Sequence, residues 1–253
     1  MCAVNDLAHL LVDTRLELVG VFVAALSGGL AAVRKEFDLF GVLVLAWATG
    51  LGGGMLRDVL IGATPPVGIA DWSYIVTALL AGLAVLLFHP RVARNRRAVV
   101  VLDACALGVF VLLGTMKALG MGAGITASVV VGLLTGIGGG ILRDILVSEV
   151  PLVLADRRLY AIPALVGAGL TAALWHAGWL NGATQWLVVV LVIGFRLLSL
   201  RLGWVVPDAA SARAWRRSQG GVGRGVGGPD SAVPPDGDGD GGGAAAGSPG
   251  DPA

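Results

Sequence analysis

Residues 49–60 read TGLGGGMLRDVL, and residues 135–146 read TGIGGGILRDIL. Nine of the twelve positions are identical, and the other three exchange one apolar residue for another. The same offset of 86 positions aligns Glu17 with Asp103, Gly28 with Gly114, Pro65 with Pro151 and Tyr74 with Tyr160, without a gap. Self-similarity at a fixed offset marks a chain built from two copies of one unit. Identity concentrated in twelve residues marks that stretch as the part the unit cannot vary.

The composition around these copies places them in a membrane. Of the 253 residues, 56% are hydrophobic and only 14% are charged, and the mean hydropathy is +0.83. A soluble domain carries about 25% charged residues to cover its surface. A soluble enzyme, a nucleic-acid binder and a secreted disulfide scaffold all fit poorly, the last because Cys2 and Cys105 are the only cysteines. Seven stretches, about 16–33, 39–61, 72–89, 99–119, 122–147, 159–178 and 182–200, are apolar and close to the roughly 20 residues that a spanning helix needs. The first is read as a true span and not a cleaved signal, because Asp6 and Asp13 precede it and its residues belong to the repeat.

Loop charges give an expected orientation. Arg34 and Lys35, then Arg91, Arg94, Arg96 and Arg97, then Arg157 and Arg158, and finally Arg201, Arg213, Arg216 and Arg217 fall on one face if the spans alternate. The connections 62–71, 120–121 and 179–181 on the other face contain no Lys or Arg. The basic face is expected to be cytoplasmic, with the N-terminus outside and the C-terminus inside. Residues 208–253 contain thirteen Gly and no Leu, Ile, Phe or Met. They are expected to be a disordered cytoplasmic tail, since they cannot bury enough apolar surface to offset the entropy of ordering.

The expected fold is therefore an all-α membrane protein of seven transmembrane helices: two inverted three-helix repeats plus a seventh helix. The segments are 1–15 outside, 16–89 and 99–178 as the repeats, 182–203 as the seventh helix, and 208–253 as the tail. Three spans per unit is an odd number, so the second unit lies upside down relative to the first. Transporters are often built this way, with glycine-interrupted segments at matching positions marking the path.

Gly52, Gly53 and Gly54, with their counterparts Gly138, Gly139 and Gly140, cost a helix about 1 kcal/mol each relative to Ala. They predict a kinked or unwound helix facing a cavity; the alternative is close helix packing. A dinucleotide or P-loop reading fails, because Met55 and Ile141 stand at the third-glycine positions and no Gly-Lys-Ser/Thr follows. Arg57, Asp58, Arg143 and Asp144 sit in or near the ends of apolar helices, where a lipid-facing charge costs about 2.5–3.5 kcal/mol. Neighbours in sequence do not face each other on a helix, so the expected partners are Glu17 for Arg57 and Asp103 for Arg143. The competing reading has both arginines snorkelling to headgroups. Lys117, whose counterpart is Ala31, breaks the symmetry as a gate would, or as a snorkelling lysine would. Ser27, Ser128 and Thr135 line a polar path or bond their own helix backbones. No nucleophile–base arrangement, catalytic carboxylate pair or metal-ligand spacing is present in the sequence, so no enzyme activity and no cofactor are expected.

The repeated GGGxxRD motif, LSGGLAAVRKEFDLFG at 26–41, the PP at 65–66 and LDACALGVFVLLGTMKALGMG at 102–122 resemble the prokaryotic trimeric intracellular cation (TRIC) channel family. That family is also catalogued as the glycine transporter domain family, of UPF0126-type membrane proteins. The resemblance covers about residues 16–200. It implies a homotrimer in the lipid bilayer, with a pore in each protomer bounded by the second and fifth spans at Gly52–Gly54 and Gly138–Gly140, and with Arg57, Asp58, Arg143 and Asp144 beside it. It places Lys117 near a basic position implicated in gating of animal relatives. The expected function is a channel for a monovalent cation, potassium above all. The alternatives are a permease for glycine or another small amino acid, and a membrane scaffold with no flux.

Overall fold

The computed structural model describes residues 2–92, 96–155 and 161–202. The tail 208–253, Tyr160, Arg94, Arg157 and Arg158 lie outside the described residues. Nine helices are found among those described: α1 (Cys2–Arg34), α2 (Leu39–Leu60), α3 (Val67–Ala70), α4 (Trp72–Val92), α5 (Arg96–Gly120), α6 (Ile125–Leu146), α7 (Leu152–Ala155), α8 (Ala161–His176) and α9 (Gly182–Leu202). The four-residue helices α3 and α7 depart from the sequence expectation; each directly follows a proline, Pro66 or Pro151.

Matching residues end matching helices. After α2, the Ala63 amide donates to the Asp58 carbonyl at 2.8 Å while Gly62 takes a φ of +72°. After α6, the Glu149 amide donates to the Asp144 carbonyl at 2.8 Å while Ser148 takes a φ of +55°. This is the left-handed helix stop that glycine adopts freely and serine adopts under constraint. The starts differ: the Asp38 carboxylate accepts the Gly41 amide at 2.7 Å to cap α2, whereas Gly124 offers α6 no side-chain cap.

By length and composition, Thr14–Arg34, Leu39–Leu60, Arg97–Gly120, Ile125–Leu146 and Gly182–Leu202 can each cross a membrane, and Trp72–Phe88 and Ala161–His176 are shorter apolar helices. Large apolar side chains such as Phe40, Trp72 and Leu87 are at least 70% exposed, which suits lipid and not water. The protein is an all-helical membrane protein with five clear apolar spans.

Within the first copy α1 packs on α2 and α4; within the second, α5 packs on α6 and α8. Each of α1 and α2 also packs on its own repeat counterpart, α5 or α6, and α9 lies against α5 and α8. The counterparts run in opposite directions. Gly20, earlier in α1, abuts Val109 and Phe110, whereas Ser27, later in α1, reaches back to the Val99 carbonyl. Buried Leu107, Leu112 and Ala164 form the core of the second copy together with Val188 and Val192 of α9, and Val21, Ala25, Ala46 and Ala78 form that of the first.

The glycine triplets correct one expectation. Both α2 and α6 run as unbroken α-helix through them. A Cβ built on Gly53 would run into the Thr135 carbonyl oxygen, and one built on Gly139 into the Thr49 carbonyl oxygen. A Cβ on Gly138 would lie 3.2 Å from Gly53 Cα. Glycine here removes side chains so that two backbones can touch, while the intrahelical hydrogen bonds stay intact and no backbone group is freed in the apolar interior.

Candidate site: two buried charge clusters bracketing a glycine crossing

Each repeated RD pair nucleates a cluster at the C-terminal end of its helix. At the end of α2, Arg57 Nη1 donates to Glu17 Oε1 at 2.7 Å, and Arg57 Nε donates to Asp58 Oδ1 at 2.8 Å. The same Asp58 oxygen accepts Lys117 Nζ at 2.7 Å. Asp58 Oδ2 accepts the Val67 amide, the first of α3, at 2.9 Å. The Tyr74 hydroxyl donates to Glu17 Oε2 at 2.9 Å.

At the end of α6 the pattern returns. Arg143 Nη1 donates to Asp103 Oδ1 at 2.8 Å, and Arg143 Nε to Asp144 Oδ1 at 2.8 Å. Asp144 Oδ2 accepts the Leu152 amide, the first of α7, at 2.7 Å. Arg143 Nη1 also reaches Ser27 Oγ at 2.6 Å.

The expected pairs Arg57–Glu17 and Arg143–Asp103 are thus both present as ion pairs. The expectation that each arginine ignores its neighbouring aspartate is wrong. The long guanidinium arm folds back so that Nε, and not the terminal nitrogens, meets the adjacent carboxylate. Both arginines are 1% exposed, so neither snorkels to a headgroup. Thr135, and likewise Thr49, bonds its own helix backbone four residues back. Ser128 Oγ donates to the Ala123 carbonyl just before its helix, whereas Ser27 serves Arg143.

The clusters differ where one copy reaches into the other. Lys117, from α5 of the second copy, enters the Asp58 cluster; Ser27, from α1 of the first, enters the Asp144 cluster. Where Lys117 stands in one half, Ala31 stands in the other. A cavity lies there, lined by Ala31, Arg34, Val99, Arg143 and Asp144, with Lys35 and Glu149 also on its wall. Lys35 Nζ and Glu149 Oε1 pair at 2.9 Å.

The sequence pattern described as "Glycine transporter" matches residues 14–90 and again residues 100–176, the two copies found from the repeat. The chain belongs to the glycine transporter family. Among the family's relatives, a UPF0126 membrane protein of Deinococcus radiodurans is 43% identical over 203 residues, 80% of this chain and 88% of that protein. A solved chain described under the structural basis for conductance through TRIC cation channels superposes with a TM-score of 0.69 at 34% identity, over 77% of this chain and 96% of its own. The TRIC trimeric intracellular cation channel orthologue from Rhodobacter sphaeroides superposes with a TM-score of 0.73 at 32% identity, over 76% of this chain and 99% of its own. These likenesses meet the family resemblance read from the repeated motif.

Three buried polar groups of α9 went unrecognised in the sequence. Gln185, Arg196 and Ser199 share the inward stripe of α9 with Val188, Val189 and Val192. Arg196 is fully buried. The available signal was a charge inside an apolar span, the same signal that flagged Arg57. It was missed because α9 has no repeat counterpart to draw attention to it.

Proposed function

We propose that this glycine transporter family member is a passive membrane channel for monovalent cations, potassium foremost, with a path along α2 and α6 in each protomer. One observation carries the reading. The two helices that touch at Gly53 and Gly139 are the same two that end in ion-paired charge clusters built on buried arginines, and the chain superposes along most of its length on cation channels. Glycine contacts let helices slide or part without unlocking side chains. Clusters holding both signs of charge set the field at each end of such a path.

In this reading all seven long helices span the bilayer, α4 and α8 included, and the two copies are related by a pseudo-two-fold axis in the membrane plane. The basic connections put the Asp144 end on the cytoplasmic side and the N-terminus outside. Gly52, Gly53, Gly54, Gly138, Gly139 and Gly140 bound the path, and Arg57, Asp58, Arg143, Asp144, Glu17, Asp103 and Lys117 form its charged network. Assembly as a trimer follows the Rhodobacter relative, described as trimeric.

A second reading rests on a specific atom. Arg57 Nη2 is buried without a hydrogen-bond partner among the described residues and faces the Gly54 surface. Such a donor suits the carboxylate of glycine, the substrate the family's description names. Purified protein in liposomes separates the two. The channel reading expects voltage-driven potassium flux with no glycine present. Labelled glycine uptake, with potassium moving only when glycine is supplied, would replace it with the permease.

A further inference from the structure

The α2/α6 pair is tied at both ends by a lysine, and the two ties are unlike. At one end Lys117, near the last turn of α5 that leads into α6, holds Asp58 at the end of α2. Asp58 is fully buried there. At the other end Lys35, in the turn that leads into α2, holds Glu149, just past the end of α6. Both of these side chains are more than a third exposed, at 38% and 37%. Between the ties lies the crossing where the Gly53 and Gly139 backbones touch.

The repeat shows that the second tie is a separate device and not a copy of the first. Lys35 and Glu149 correspond to Met121 and Ala63, which cannot pair. Lys117 corresponds to Ala31, one helical turn deeper than Lys35. The Asp144 end therefore has a small residue and a cavity at the depth where the Asp58 end has its ammonium, and its lysine tie sits farther out on the wall of that cavity. An ion pair in contact with water competes with hydration and mobile salt, whereas one made to a fully buried carboxylate is screened far less.

We propose that the Lys35–Glu149 pair is a releasable strap across the Asp144 mouth, so that α2 and α6 part at that end first while Lys117–Asp58 holds the other. The strap rests on the channel reading for its effect on current, but not for its effect on local opening.

Two measurements on the full chain test it. In single-channel recordings with potassium, Lys35→Gln and Glu149→Gln should each raise the open probability about 1.4-fold to fivefold, the range an exposed pair supports. The reversed pair Lys35→Glu/Glu149→Lys should return it towards wild type, and raising the salt should shrink the difference between wild type and the single variants. Unchanged open probability in both single variants, or a reversed pair that behaves like them, overturns the strap. Hydrogen exchange in the liposome-embedded protein reads the same event without current. Amides near 35–41 and 143–149 should exchange faster in either single variant, while those near 57–63 stay as in wild type. An equal response at both ends, or none, overturns the strap even if no potassium passes. Absence of wild-type potassium current, with the exchange response intact, removes the channel reading alone.

Discussion

The Asp58 and Asp144 clusters are two outcomes of one repeated instruction. In both, an arginine bridges the carboxylate beside it and a carboxylate from a neighbouring helix, α1 or α5, and the aspartate's second oxygen receives the first amide of a short helix. Among the described side chains the Asp58 cluster balances two carboxylates with a guanidinium and an ammonium. In the Asp144 cluster Arg143 pairs with both carboxylates and reaches a serine hydroxyl, and Ala31 stands where the other cluster has its lysine. The symmetric part is the scaffold that the fold requires. The difference, Lys117 against Ala31, makes one end filled and the other hollow.

The largest expected effect breaks that comparison directly. Arg143→Leu strips the guanidinium from Asp103 and Asp144 and should cost about 3–5 kcal/mol, the usual cost of breaking a buried ion pair from one side. Arg57→Leu leaves Lys117 on Asp58, so its loss in thermal unfolding in detergent should be visibly smaller. Equal losses would mean that Lys117 does not support its cluster.

Next come the glycines. Gly53→Ala and Gly139→Ala push a methyl into a facing carbonyl and should each destabilise by about 1–3 kcal/mol, the range for overpacking. Gly54→Ala meets only Arg57 Nη2 at 4.0 Å. It should be neutral or stabilising by up to about 1 kcal/mol, through helix propensity alone. Melting temperatures that rank the three alike would remove the crossing as the reason for the triplets.

The smallest effect concerns Tyr74. Tyr74→Phe loses one hydrogen bond to Glu17 and should cost about 1 kcal/mol, leaving the Asp144 end untouched by hydrogen exchange.

Much of this was legible because the repeat converts one observation into two. The Arg57–Glu17 and Arg143–Asp103 contacts followed from placing corresponding residues at the same end of alternating spans. The glycine triplets were misread because glycine signals both a broken helix and a close approach, and only the neighbour facing it decides which. Thr135 and Thr49 are 86 residues from each other, and no local pattern says that their carbonyls rest on the opposite triplets. The side chain of Asp58 docking α3, and that of Asp144 docking α7, was hidden for a related reason: Val67 and Leu152 lie beyond proline turns whose path the sequence leaves open. Arg196 escaped because α9 is unrepeated.

The central claim is that ions pass only when α2 and α6 can part. A Cβ on Gly52 would lie 3.9 Å from Leu142 Cβ, within disulfide range, so Gly52→Cys/Leu142→Cys can be bridged across the two helices. Potassium flux into liposomes, with bridge formation checked by mass, is the deciding measurement. Flux should be lost on oxidation and return on reduction; undiminished flux through the fully bridged protein would contradict the account.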